Sequence, residues 1–181
     1  DGTGVLTSQV SHAVSGRPYS PLVADMDGDG DLDLITANAG PHISVLLNDG
    51  GGSFSPPAQY SLASLAGRLA VADLDSDGDI DVVAGHEGTD SSTIFHNNGT
   101  RVLSVRASCG AGDGPQWVTL ADMDGDGLPD IITADGLANT VSVLFGSVAG
   151  DCSPIQTFAV GSGPYSVMAA DFDGSGSLDL V

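Results

Sequence analysis

DMDGDGDLD, residues 25–33, returns three times in this chain: as DLDSDGDID at 73–81, DMDGDGLPD at 122–130 and DFDGSGSLD at 171–179. The leading aspartates stand 48, 49 and 49 residues apart. A fixed period of this length marks a repeat architecture.

Each copy has the oxygen donors that a hard cation asks of a short loop. Calcium (Ca2+) takes about 6 to 8 oxygens at about 2.3–2.6 Å, and a curled backbone turns side chains 1, 3 and 5 inward. In the first copy these are Asp25, Asp27 and Asp29. The residue at position 7, Asp31, would offer its carbonyl, and Asp33 at position 9 would close the shell with both carboxylate oxygens. The corresponding sets are Asp73, Asp75, Asp77, Asp79 and Asp81; Asp122, Asp124, Asp126, Leu128 and Asp130; and Asp171, Asp173, Ser175, Ser177 and Asp179. A seventh position that tolerates Asp, Leu or Ser fits a backbone ligand. The fourth loop is the weakest, because Ser175 replaces a carboxylate with a hydroxyl. Without a cation such loops repel themselves: two unit charges 4 Å apart cost about 4 kcal/mol at an effective dielectric of about 20. We therefore expect up to four calcium ions.

The acidity of the chain is concentrated in these loops. Its net charge is −20, and 17 of its 24 acidic residues lie in the four repeats. Four divalent ions would bring −20 to −12, so the charge is mostly a metal signature. There is no lysine, and the four arginines (Arg17, Arg68, Arg101 and Arg106) are scattered, which argues against nucleic acid as a partner. No apolar run approaches the roughly 20 residues that span a bilayer. The chain opens with neither an initiator Met nor a signal peptide, and it reads as a mature product or an excerpt.

Aligning the copies exposes the rest of the unit. A short apolar run ending in Ala-Asp precedes each loop: PLVAD at 21–25, LAVAD at 69–73, VTLAD at 118–122 and VMAAD at 167–171. A second run follows it (DLITAN at 33–38, DVVAG at 81–85, DIITAD at 130–135), then an alternating third with Ile43, Val45 and Leu47 or Val141, Val143 and Phe145. A fourth run is less regular: 54–62, 101–108 and 153–160, with 4–14 as an orphan copy. Runs of about five β-branched residues bounded by Gly, Asn and Pro read as strands. Pro18, Ala66, Pro115 and Pro164 stand seven positions ahead of the loops, where proline would start an innermost strand without needing a ladder donor. Four strands per period is the pattern of a propeller blade, so the fold class is all-β, a β-propeller of four-stranded antiparallel blades. An EF-hand would need flanking helices and a Glu at position 12, which here is Thr36, Ala84 or Thr133.

The Ala-Asp-x-Asp-Gly-Asp-Gly-x-x-Asp core, at Ala24 to Asp33 and Ala121 to Asp130, with strands such as TVSVLFG at 140–146, resembles the FG-GAP or VCBS repeat. That repeat is the blade of the integrin α-subunit propeller and of many secreted bacterial proteins. The resemblance implies a calcium-loaded blade whose metal loop joins its first and second strands at the rim of one face. The Phe-Gly pair survives only as Phe145-Gly146. The whole chain, 1–181, reads as one propeller segment, with complete blades at about 17–62, 63–110 and 111–160 and partial blades at 1–16 and 161–181. Pooling the two ends does not complete a blade. The chain is then either part of a longer propeller, about seven blades by the resemblance, or one whose ends serve a neighbouring copy head-to-tail.

Little else in the sequence carries chemistry. His12, His42, His86 and His96 fall in different phases of the repeat and read as ordinary loop or surface residues. No nucleophile elbow, P-loop or dinucleotide fingerprint occurs, so we expect no enzyme. Tyr19, Trp117 and Tyr165, near the starts of first strands, would pack between blades or, as in some related propeller lectins, offer platforms for sugars. Cys109 and Cys152 leave a bridge and two free thiols both open. Asn98-Gly99-Thr100 is a glycosylation sequon and equally an Asn-Gly hairpin turn. The expected function is a calcium-binding extracellular or cell-surface scaffold for adhesion, protein interaction or self-assembly. The alternatives are a carbohydrate-binding propeller or an accessory domain of a secreted hydrolase.

Overall fold

In the computed structural model, which describes residues 10–86, 88–148 and 155–181, the apolar runs become strands. The first unit is β1 (Pro18–Ala24), β2 (Asp33–Asn38), β3 (His42–Leu46) and β4 (Ala58–Ser61). The second is β5 (Leu69–Ala72), β6 (Asp81–His86), β7 (Ser91–His96) and β8 (Ser104–Gly110). The third is β9 (Pro115–Ala121), β10 (Asp130–Asp135), β11 (Thr140–Leu144) and β12 (Ile155–Ala159), and β13 (Ala169–Ala170) and β14 (Asp179–Leu180) begin a fourth. Every sheet is an antiparallel meander in chain order, three of four strands and one of two. No helix occurs among the described residues.

The second strands β2, β6 and β10 are buried almost throughout, on both faces. In β6, Val82 and Ala84 pack toward Ile35, Ala37 and Ile43 of the first sheet. Val83, between them, points the other way, into a core with Val118, Ile131 and Leu144 of the third sheet. In β10, Ile131 joins that core and Ile132 joins the next one, with Val143 and Val167. Sheets therefore stack face to face through shared cores, as a period-2 strand buried between two layers requires. The first strands touch in succession, β1 with β5, β5 with β9 and β9 with β13, so they line the inner side of an open arc.

Two details depart from the sequence reading. The fourth strands are shorter or shifted: β4 holds only Ala58–Ser61, because Pro56 and Pro57 have no N–H to offer a ladder, and Phe54 pairs only in an isolated bridge with Asn48. Pro18 and Pro115 do open β1 and β9, but Ala66 and Pro164 lie ahead of β5 and β13 rather than inside them.

A buried polar column closes the second strands. Asn38 donates to Ser44 Oγ at 2.9 Å, and Asp135 accepts hydroxyl hydrogen bonds from Thr133 at 2.8 Å, from Thr140 at 3.0 Å and from Ser142. His86 holds the same place in the second unit, with Nε2 2.7 Å from Thr93 Oγ1. His86 is thus a fully buried residue rather than the surface residue expected from the sequence.

Burial pushes the His86 imidazole below its ordinary value of 6.5. Below that pH the unfolded chain takes up a proton that the folded chain refuses, so the stabilising contribution is complete above 6.5 and declines as the pH falls beneath it. Urea unfolding in chelator at pH 7.5 and pH 5.5 should show a smaller loss of stability in His86→Asn than in the natural chain.

Candidate metal centre

Each acidic loop is shaped by its first aspartate. Asp25 Oδ1 accepts from the Gly28 N–H at 2.8 Å and Oδ2 from the Gly30 N–H at 2.9 Å. Asp122 makes the same pair with Gly125 and Gly127, and Asp171 with Gly174 and Gly176. The turn places position 6 in the left-handed region, with φ of 93° at Gly30 and 95° at Gly78, which only glycine adopts without cost. The second loop carries Ser76 where the others have glycine at position 4, at a φ of 61°. There Asp73 keeps its bond from Gly78, at 3.0 Å, but its Oδ1 meets no donor.

The ninth position does more than the sequence reading assigned to it. Asp33 Oδ2 accepts from the Met26 N–H at 2.8 Å and Oδ1 from the Asn48 N–H at 2.7 Å, clasping the start of the loop to the end of the following hairpin. Asp81 does the same with Leu74 and Asn97, at 3.0 and 2.8 Å, and Asp130 with Met123 and Gly146, both at 2.7 Å. In the fourth loop Asp179 accepts from Phe172 at 3.1 Å. Both oxygens of a clasping Asp are already engaged, so what remains for a cation is their second lone pairs, not an uncommitted carboxylate.

Acids within each loop converge. Carboxylate oxygens of Asp25, Asp27 and Asp29 lie within 4.8 Å of one another, as do those of Asp73, Asp75 and Asp77, of Asp122, Asp124 and Asp130, and of Asp171, Asp173 and Asp179. Outside these four groups fall Asp31, Asp33, Asp79, Asp81, Asp126, Leu128, Ser175 and Ser177, with Asp81 in a separate group beside Asp75 and His96. Asp126 instead caps the Leu128 N–H at 2.8 Å, and Ser175 Oγ accepts from Ser177 at 3.3 Å.

Three carboxylate oxygens are buried without any hydrogen-bond donor: Asp27 Oδ1, Asp73 Oδ1 and Asp75 Oδ1. Burial, the largest influence at each, pushes the Asp27, Asp81 and Asp130 carboxyls above the usual carboxylate range. An ionised carboxylate sealed from water without partners is costly, and a divalent ion within the loop supplies what these oxygens lack. Donors made of oxygen alone, at alternate positions of a tight turn, fit a hard cation.

Two basic side chains approach the loops. Arg101, in the turn between β7 and β8 of the second unit, sets Nε 3.1 Å from Asp27 Oδ2 of the first. His96 Nδ1 lies 3.1 Å from Asp75 Oδ2 and 3.4 Å from Asp81 Oδ1. The sequence reading placed His96 among ordinary loop or surface residues, and the structure puts it against the second loop. A signal was present: His96 stands in the repeat column occupied by Leu47 and Phe145.

The other candidates scatter. Tyr19 donates its hydroxyl to the Ala66 carbonyl of the next unit at 2.5 Å, and Trp117 packs in the third core beneath the Arg68 guanidinium, 5.1 Å from its ring centre. Tyr165 is 64% exposed and shares with Tyr19 an open cavity of about 690 Å3 that also takes in Arg68 and Gln116. Asn98 Oδ1 accepts from the Thr100 N–H and hydroxyl, at 3.3 and 2.6 Å, forming an Asx turn. Cys109 is buried and disulfide-bonded, and Cys152 lies outside the described residues.

The clasp and the ligand set can be separated by mutation. Asp130→Ala leaves the Met123 and Gly146 amides without acceptors and should cost about 2–4 kcal/mol in urea unfolding, even in chelator. Asp124→Ala, at an exposed position, should cost under about 1 kcal/mol in chelator and show its effect only when calcium is added.

The family model of FG-GAP-like repeats matches residues 25–84, 73–133 and 122–181. No curated protein sequence matches the chain. Among solved structures, BBS1N in complex with ARL6DN, from a lead-soaked crystal, aligns with a TM-score of 0.62 at 13% identity over 96% of this chain and 51% of that one. A mercury-soaked crystal of the same complex aligns at 0.59 and 11%, over 87% of this chain and 44% of that one. The Vibrio cholerae (V. cholerae) biofilm matrix protein Bap1 aligns at 0.56 and 21%, over 90% of this chain and 23% of that one. The chain thus spans about half or less of the length of these structures, and at such identities the likeness is one of fold. With the repeat model spanning all four loops and the blades stacked as described, this chain belongs to the FG-GAP-like repeat family.

Proposed function

We propose that the chain is a calcium-binding, non-enzymatic propeller scaffold that works outside the cell or at its surface, presenting rigid blades for adhesion, protein interaction or assembly with copies of itself. The observation that carries this reading is the set of buried carboxylate oxygens without donors: Asp27 Oδ1 and its counterpart one repeat on, Asp75 Oδ1, together with Asp73 Oδ1. Asp25, Asp27 and Asp29 would hold the ion of the first loop, Asp73, Asp75 and Asp77 that of the second, Asp122, Asp124 and Asp130 that of the third, and Asp171, Asp173 and Asp179 that of the fourth. Bound calcium would offset part of the negative charge of each loop and stiffen the link between first and second strands. Millimolar calcium is an extracellular condition, which suits sites of modest affinity. Likeness to a biofilm matrix protein and to a component of a protein complex supports a scaffold that meets other proteins. Most acids already serve the loops, which leaves few for proton transfer.

A second reading, glycan binding, draws support from the open cavity that gathers Tyr19, Arg68, Gln116 and exposed Tyr165. Retention of glycan-array binding by Tyr165→Ala would rule out an aromatic platform there, and loss of binding with the fold intact would support it.

Chelation tests the first reading. A site with a dissociation constant of about 0.1 mM at about 1 mM calcium contributes about 1.4 kcal/mol, so removing calcium should lower the melting temperature by about 3–6 °C per site. Asp27→Ala should bind one calcium fewer by titration calorimetry. Unchanged stoichiometry would remove Asp27 from the ligand set.

A further inference from the structure

The four loops are not chemically equal. In the first and third units the side chain that leaves the third strand beside position 3 of the loop is apolar: Leu47 neighbours Asp27 and Asp29, and Phe145 neighbours Asp124. In the second unit that place is taken by His96. Its side chain is only 18% exposed, and its Nδ1 lies within 3.4 Å of both Asp75 Oδ2 and Asp81 Oδ1. Asp75, Asp81 and His96 form the single convergent group among the described residues that includes a nitrogen.

We infer that the second loop is a mixed nitrogen and oxygen site, selective for a borderline first-row divalent ion such as Zn2+ or Co2+ over calcium, with His96 Nδ1 as the discriminating ligand. The inference rests on reading the acidic loops as cation sites and adds a different ion preference at one of them.

Three features support it. Imidazole nitrogen suits zinc and its neighbours, whereas carboxylate and carbonyl oxygen alone suit calcium. The oxygens at this loop are unspent: Asp73 Oδ1 and Asp75 Oδ1 are buried with no donor, so the histidine contact does not satisfy them. The imidazole is also oriented for the role. With Nδ1 facing Asp75 and Asp81, the proton of a metal-bound ring sits on Nε2, toward Asp77 Oδ2 at 3.9 Å.

The test is a titration of Co2+ into calcium-saturated protein, followed by visible absorbance, with calcium content measured in parallel. The natural chain should take one equivalent of Co2+ at least about tenfold more tightly than any further equivalents, with a spectrum characteristic of nitrogen and oxygen ligands. His96→Leu, which installs the residue of the first unit, and His96→Gln, which keeps a polar side chain, should both lose that equivalent while retaining calcium at the other loops. Circular dichroism checks that the variants fold. Equal uptake and equal spectra in the natural chain and both variants, or no uptake in the natural chain, would overturn the inference. Calcium binding without any Co2+ discrimination would leave the scaffold reading intact and sink this one. Co2+ binding that depends on His96, in a chain that binds no calcium, would do the reverse.

Discussion

The carboxylate at the ninth position of each of the first three loops holds its unit together. One of its oxygens takes the amide at the beginning of the loop and the other takes the amide at the end of the hairpin, 16 or 15 residues on, as Asp33 does with Met26 and Asn48. The same residue begins the second strand, whose side chains are buried on both faces. A single side chain therefore ties the metal loop, the strand that feeds two cores and the hairpin return. Replacing such an acceptor leaves two amides unsatisfied in a place water cannot easily reach. The nine-residue motif is thus as much a backbone device as a cation device.

That dual use explains what the sequence made legible and what it hid. The period, the four loops, the strand runs and the blade pattern could all be read because side-chain identity recurs at fixed spacing. The clasp could not, because the partners of Asp33, Asp81 and Asp130 are main-chain amides whose residues vary among Asn48, Asn97 and Gly146. The shortening of β4 was written in Pro56-Pro57, but a run of mixed polarity hid it. The places of His86 and His96 are hidden for a common reason. The residue type of each differs from that of its repeat column, polar in Asn38 and Asp135 for the first, apolar in Leu47 and Phe145 for the second.

The arginine and histidine beside the first two loops also show how this chain treats its own acidity. Arg101 reaches Asp27 from the next unit, while His96 reaches Asp75 from within its own. No basic side chain among the described residues forms an ion pair with the third or fourth loop. The repeats are equivalent in backbone and different in charge compensation, a difference that would be invisible at the level of the family pattern.

Successive units are also stitched to one another by polar bonds. Asn97 donates to the Met26 carbonyl of the preceding unit at 2.9 Å, Tyr19 to Ala66 of the following one, and the Gly114 amide to Asp90 at 2.9 Å. Each stitch crosses only one boundary, so the arc resembles a chain of snap fasteners rather than a single weld. Tension applied at its two ends would be released one fastener at a time, in a staircase of separate ruptures, and a lost blade would leave the mechanics of distant ones untouched.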